Sequence, residues 1–150
     1  MKIGRYSCVF LFFLASCMAN RNGSEGQLYE VADSFATNYF NLRYKNACKF
    51  CTDASHQWLR FAASNVKQAD LDVIHNTEEP AQIEVNEVNY TSDSTALVNI
   101  TVSNFLLMDS IESCGRMVKS AGFRLNAVID QDKWLIRMEG LPQSGRRNHD

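Results

Sequence analysis

Apolar and polar residues change period once along this chain, and the change divides it into a helical half and a stranded half. Leu28, Val31, Ala32, Phe35, Tyr39 and Leu42 recur every three or four positions, which places them on one face of an α-helix. Ser24-Glu25-Gly26-Gln27, just before them, has capping-box spacing. The chain is expected to turn at Asn41-Leu42-Arg43. A short second helix then carries Tyr44, Cys48 and Cys51 on one face. Thr52 or Asp53 is placed to cap a third helix with Trp58, Leu59, Ala62 and Val66 as its apolar positions, and Asp70–Ile74 adds a further helical turn.

Beyond Pro80 the period falls to two. Ile83 and Val85 alternate, and the phase then slips to Val88 and Tyr90, which predicts a bulge near Asn86-Glu87. After a turn at Ser92-Asp93-Ser94, the residues Ala96, Val98, Ile100 and Val102 form an inward face opposed by Leu97, Asn99, Thr101 and Ser103. A loop over 108–116 leads to a third strand with Phe123, Leu125, Ala127 and Ile129. The turn Asp130-Gln131-Asp132 leads to a fourth with Trp134, Ile136 and Met138. Helices followed by a strand meander predict an α+β fold, with N-terminal helices packed on a curved antiparallel sheet.

Composition adds a size limit and one exclusion. At 150 residues the chain is expected to form one domain over 27–140 with a tail at 141–150, large enough to bury a core without a metal or disulfide scaffold. The net charge is −2, and removing residues 1–16 leaves 13 basic against 17 acidic side chains, or −4. That balance argues against nucleic acid as a partner.

The N-terminus carries the clearest motif. Lys2 and Arg5 precede an apolar run from Cys8 to Leu14, followed by Ala15 and Ser16. A positive start, a run too short to span a bilayer and a small-residue zone describe a secretory signal over residues 1–16. Leu14-Ala15-Ser16-Cys17 resembles the lipobox of bacterial lipoproteins. The resemblance implies cleavage before Cys17, a diacylglycerol group on its thiol, and residues 17–26 as a lipidated tether. Met18 after the cysteine, by resemblance to enterobacterial sorting, implies the outer membrane. The absence of acidic residues in Ala19-Asn20-Arg21-Asn22 sets the chain apart from surface-exported Bacteroidota lipoproteins, so the periplasmic face of the cell envelope is expected.

The folded part resembles the nuclear-transport-factor-2-like superfamily, a cone of helices and curved sheet, over roughly residues 27–140. The resemblance is carried by "FATNYFNLRYKNACKFCT", "STALVNITVSNF" and "AGFRLNAVIDQDKWLIRME". It implies a pocket at the mouth of the cone, for which Phe35, Tyr39, Trp58, Tyr90, Phe123 and Trp134 are the candidate lining residues. Enzymes of that superfamily use a His/Asp or Tyr/Asp pair there. Asp33, Asp53 and His56 are the helix residues able to supply one, and Asn104 is the polar residue expected among the inward strand positions.

Cys48-Lys49-Phe50-Cys51 is a C-x-x-C, the spacing of a redox pair, but no βαβ pattern surrounds it. Buried thiols or a structural bond from Cys48 or Cys51 to Cys114 explain the same residues, and a bond closing that loop stabilises by at most about 4 kcal/mol. A metal site from Cys48, Cys51, His56 and His75 lacks a compact histidine pair. No cofactor is expected. Asp93-Ser94-Thr95 and Asp109-Ser110-Ile111 resemble the short O-glycosylation motif of Bacteroidota, which marks Ser94 and Ser110. The sequence therefore points to a membrane-anchored envelope lipoprotein that binds a small apolar ligand or a protein partner. A pocket enzyme of the isomerase, dehydratase or hydrolase type, or a redox protein using Cys48 and Cys51, are the alternatives.

Overall fold

The structure is a computed structural model that describes residues 25–108 and 112–145. Cys17, Ser24 and Ser110 lie outside those residues. Four helices come first: α1 (Glu25–Phe40), α2 (Tyr44–Ala47), α3 (His56–Asn65) and α4 (Gln68–His75). Four strands follow, β1 (Gln82–Tyr90), β2 (Thr95–Leu107), β3 (Arg116–Asp130) and β4 (Lys133–Arg137), in one antiparallel sheet of order β1-β2-β3-β4. This is the α+β arrangement that the change of period predicts.

Helix α1 forms because its apolar stripe has something to cover. Leu28, Ala32, Phe35, Ala36 and Phe40 are buried, and they pack on Val98, Ile100, Val102, Phe123, Leu125 and Ile136 of the sheet's inner face. The helix ends in a Schellman turn. Arg43 N–H donates to the Asn38 carbonyl at 2.8 Å, and Leu42 N–H donates to Tyr39 at 3.1 Å. Leu42 takes the left-handed position of that turn, at φ 58°, where glycine is the usual occupant. Asn41 then closes the corner, since its side chain accepts from Ala81 N–H at 2.9 Å and donates to the Ala81 carbonyl at 3.1 Å. A side-chain amide thus mimics a strand partner and sets where β1 begins.

The sheet curves where its pleat is interrupted. Val85 pairs with Ile100 and Glu87 with Asn99, so Asn86 is the extra residue of a β-bulge, at the predicted place. A second interruption was not legible beforehand. Asn104 has φ 55°, and after it the buried positions shift from Val102 to Phe105 and Leu106. Phe105 takes the inward place expected of Asn104, whose amide instead reaches Glu79 on the surface at 3.2 Å. The β3–β4 hairpin turns through Gln131 and Asp132, both at positive φ, the geometry of a two-residue turn.

The segment between α2 and α3 departs from the sequence reading. Cys48–Phe50 is a turn of 3₁₀ helix, and Cys51 is extended and pairs in parallel with Ile136 of β4. Cys51 therefore leaves the helical face shared by Tyr44 and Cys48. The chain is pulled out of helix there because Thr52 N–H donates to the Ile136 carbonyl at 3.0 Å. Thr52 stands at the N-cap of the 3₁₀ turn Asp53–Ser55 that leads into α3, but its hydroxyl bonds the Ser55 hydroxyl at 2.7 Å rather than a backbone N–H. Ser55, fully buried, accepts from Met138 N–H at 2.8 Å. This small polar network stitches the helical layer to the last strand.

Candidate functional site

The mouth of the cone lies between the end of α1, α2 and the far end of β2. Tyr39, Phe40, Leu42, Tyr44, Phe105–Met108, Phe123, Leu141 and Pro142 surround a cavity of about 60 Å³ there. Its back wall is an aromatic cluster. Phe40 lies 5.4 Å from Phe105 and 4.7 Å from Phe123, and those two lie 5.5 Å apart, by ring centroids. Each such pair contributes about 0.5–1.5 kcal/mol beyond the burial of its area. Tyr39 stacks on Phe35 at 5.8 Å and meets Tyr44 edge-on at 5.4 Å. Ligand pockets generally enclose about 300–1,000 Å³, so the rings that would line one have filled most of it.

The six aromatic residues expected at a pocket are not brought together as one wall. Phe35, Tyr39 and Phe123 belong to the α1 cluster and the mouth. Trp134 is buried, and its ring lies 6.0 Å from that of Tyr90. The register pairs Tyr90 with Ala96 and Trp134 with Ile129, toward the other end of the sheet, and the small pair Ala96–Ala127 lies between their strands. Tyr90 is 49% exposed because β1 is an edge strand, so it covers Trp134 rather than lining a cavity. Trp58 is half-buried on α3 against the core.

The titratable groups at the mouth are held in their neutral forms. Burial and then the neighbouring Asp70 carboxylate push the Tyr44 hydroxyl up to about 12, and burial followed by Tyr44 raises Tyr39 further. Neither hydroxyl is an acid–base group at neutral pH. Asp33 and Asp53 are exposed on the surface. His56 is half-buried, and its Nε2 donates to the Cys48 carbonyl at 3.1 Å, which fixes the ring as a cap on the 3₁₀ turn.

The same carbonyl accepts from the Cys51 thiol at 3.7 Å. Burial, then Cys48 and Asp53, push that thiol up to about 12, away from the thiolate that redox exchange requires. Cys48, Cys51 and Cys114 stand as free thiols in this structure. Cys51 pairs with Ile136, whose partner Ala127 lies near the end of β3, whereas Cys114 precedes the start of β3. His75 is exposed at the end of α4. Among the described residues, no group of three or more His, Cys, Asp or Glu is placed to hold a metal ion. Ser94 sits exposed in the β1–β2 turn, its carbonyl accepting from Ile129 N–H at 2.8 Å.

Asp70 is the polar residue that pattern reading missed. It is fully buried, with Oδ2 accepting from Lys67 N–H at 2.8 Å and Oδ1 from Gly115 N–H at 2.7 Å. It caps α4 and holds the segment entering β3 against the helices. Gly115 is needed there because a Cβ would lie 2.6 Å from Leu106 Cγ. The alternation Asp70-Leu71-Asp72 reads as a solvated helix face, and nothing local distinguishes the buried aspartate from its neighbour.

No protein-family model matches the chain, and no curated protein matches it. A solved structure described as "Ntf2 like protein involved in plasmid conjugation" aligns at a TM-score of 0.37 and 11% identity, over 81% of this chain and 48% of that one. The chain thus spans about half the length of that structure.

Proposed function

We propose that the chain is a lipid-anchored protein of the cell envelope, facing the periplasm from the outer membrane, whose domain binds a protein partner at its surface. The observation that carries the binding reading is the filled cone. The rings of Phe40, Phe105 and Phe123 leave about 60 Å³ at the mouth, too little for a ligand of ordinary size. The expected acid–base and thiol groups are exposed singly or spent on backbone contacts, which favours binding over pocket chemistry and over redox exchange. Anchorage is supported by Leu14-Ala15-Ser16-Cys17 behind its basic and apolar flank.

Mass spectrometry of the mature protein tests the anchor. The expected product begins at Cys17 and carries acyl mass, and a product beginning elsewhere without it overturns the anchor. For the cone, titration with decanoate is expected to give no saturable change in tryptophan fluorescence, whereas stoichiometric binding would restore the small-ligand reading.

A further inference from the structure

The outer face of the sheet carries a hollow far larger than the mouth. Asn86, Asn99, Thr101, Ser120, Arg124 and Gln143 are among the residues that bound a concavity of about 930 Å³, near the top of the range of about 300–1,000 Å³ for ligand sites. The pleat turns Asn99 and Thr101 away from Val98, Ile100 and Val102, which are buried toward the helices. Gly122 forms part of the floor. A Cβ there would meet no atom nearer than the Ile100 carbonyl oxygen at 3.9 Å, so a side chain would fit, and its absence leaves the strand backbone open to a ligand.

Hydrogen bonds within the face decide what it has left to offer. The Thr101 hydroxyl donates to Asn86 Oδ1 at 2.9 Å, and among the described residues nothing accepts from Asn86 Nδ2. Asn99 Nδ2 donates to the Glu87 carboxylate at 3.1 Å, which turns Asn99 Oδ1 to accept from Arg124 Nε at 3.4 Å. The relay Glu87–Asn99–Arg124 fixes the guanidinium through one N–H and leaves its terminal nitrogens free among the described residues. Arg137, which shares a smaller hollow with Arg124, is instead paired with Glu139 at 3.0 Å. Both asparagine oxygens are thus used within the protein, while a guanidinium fork and an amide NH₂ remain to donate, beside the exposed Ser120 hydroxyl and Gln143 amide. That surplus of donors calls for a ligand rich in acceptors, with a carboxylate for the fork. Protein partners are gripped through buried aromatic or aliphatic anchors, whereas Ile100 and Phe123 at this hollow are buried in the core and leave amides and hydroxyls to line it. We infer that the hollow binds a carboxylate-bearing saccharide. Arg124 holds the carboxylate, and Asn86, Ser120 and Gln143 take hydroxyl and ring oxygens. This goes beyond the protein-binding reading and does not rest on it.

The test titrates the ¹⁵N-labelled full chain with trisaccharides of galacturonate and of mannuronate, and with the methyl esters of both. At least one acid is expected to shift the Gly122 and Ser120 amides and Arg124 Nε–H saturably, and its ester to bind about tenfold or more weakly. Arg124→Gln should weaken the acid to the level of its ester. Gly122→Val should abolish binding of both by filling the floor, with neither variant unfolding in urea earlier than the native chain. No saturation by either acid, an ester binding as tightly as its acid, or full acid binding in either variant overturns the inference. So does equal binding of a glutamate hexapeptide, or binding seen only in a chain ending at Gly145, which would make residues 146–150 the occupant. Failure on any of these counts leaves the protein-binding reading standing.

Discussion

Two buried polar side chains, Asp70 and Ser55, hold more of this molecule together than their number suggests. Each has its hydrogen-bonding capacity taken up by backbone from a distant element. A carboxylate accepting two N–H groups gains about 1.5–3 kcal/mol from each, and removing one acceptor strands a buried donor. Asp70→Asn keeps one acceptor oxygen and turns an NH₂ toward the other donor. It is expected to lower stability in urea unfolding by about 2 kcal/mol or more, with Gly115 N–H becoming fast to exchange. Neither residue was legible in the sequence. A serine or aspartate among polar neighbours carries no local mark of the strand that will later bond it.

At the scale of elements, the long periodic segments were readable and the junctions were not. The stripe of α1 and the phase slip at Asn86 follow from hydrophobic spacing, because a helix or a half-buried strand must keep one face apolar. Cys51 and Asn104 went the other way. One was drawn into an extended pairing with Ile136, and the other was placed at positive φ so that Phe105 could turn inward. Leu42 shows the same conflict at the end of α1, where a bulky residue takes a conformation that costs about 1–2 kcal/mol. Its side chain helps wall the cavity at the mouth. Leu42→Ala removes that packing and keeps the strain, whereas Leu42→Gly removes both. The glycine variant is expected to unfold at a higher urea concentration than the alanine variant, by about 1 kcal/mol of stability.

For the whole molecule, the burial that fills the cone also sets its response to alkali. Tyr44 and Cys51 both titrate near 12 when folded, against 10.0 and 9.0 as ordinary values. Their neutral forms are favoured by folding, so the stability they supply is complete below pH 9. It is lost as pH rises, first through Cys51 and then Tyr44, because the unfolded chain releases these protons earlier. Thermal unfolding is expected to shift to lower temperature between about pH 9 and pH 12. Cys51→Ala and Tyr44→Phe should each flatten part of that decline.

Sequence alone determined the change from helical to stranded period, the turn within Asp130-Gln131-Asp132, the bulge and the signal-like flank of Cys17. Each depends on neighbours a few positions apart, where sterics and one-sided burial act directly. Tertiary structure alone decided how full the mouth beside α1 is, which thiol and tyrosines are silenced by burial, where Asp70 anchors, and how Ser55 ties the helices to the last strand. Those depend on how curvature brings distant side chains and backbone groups together, and no local pattern encodes it.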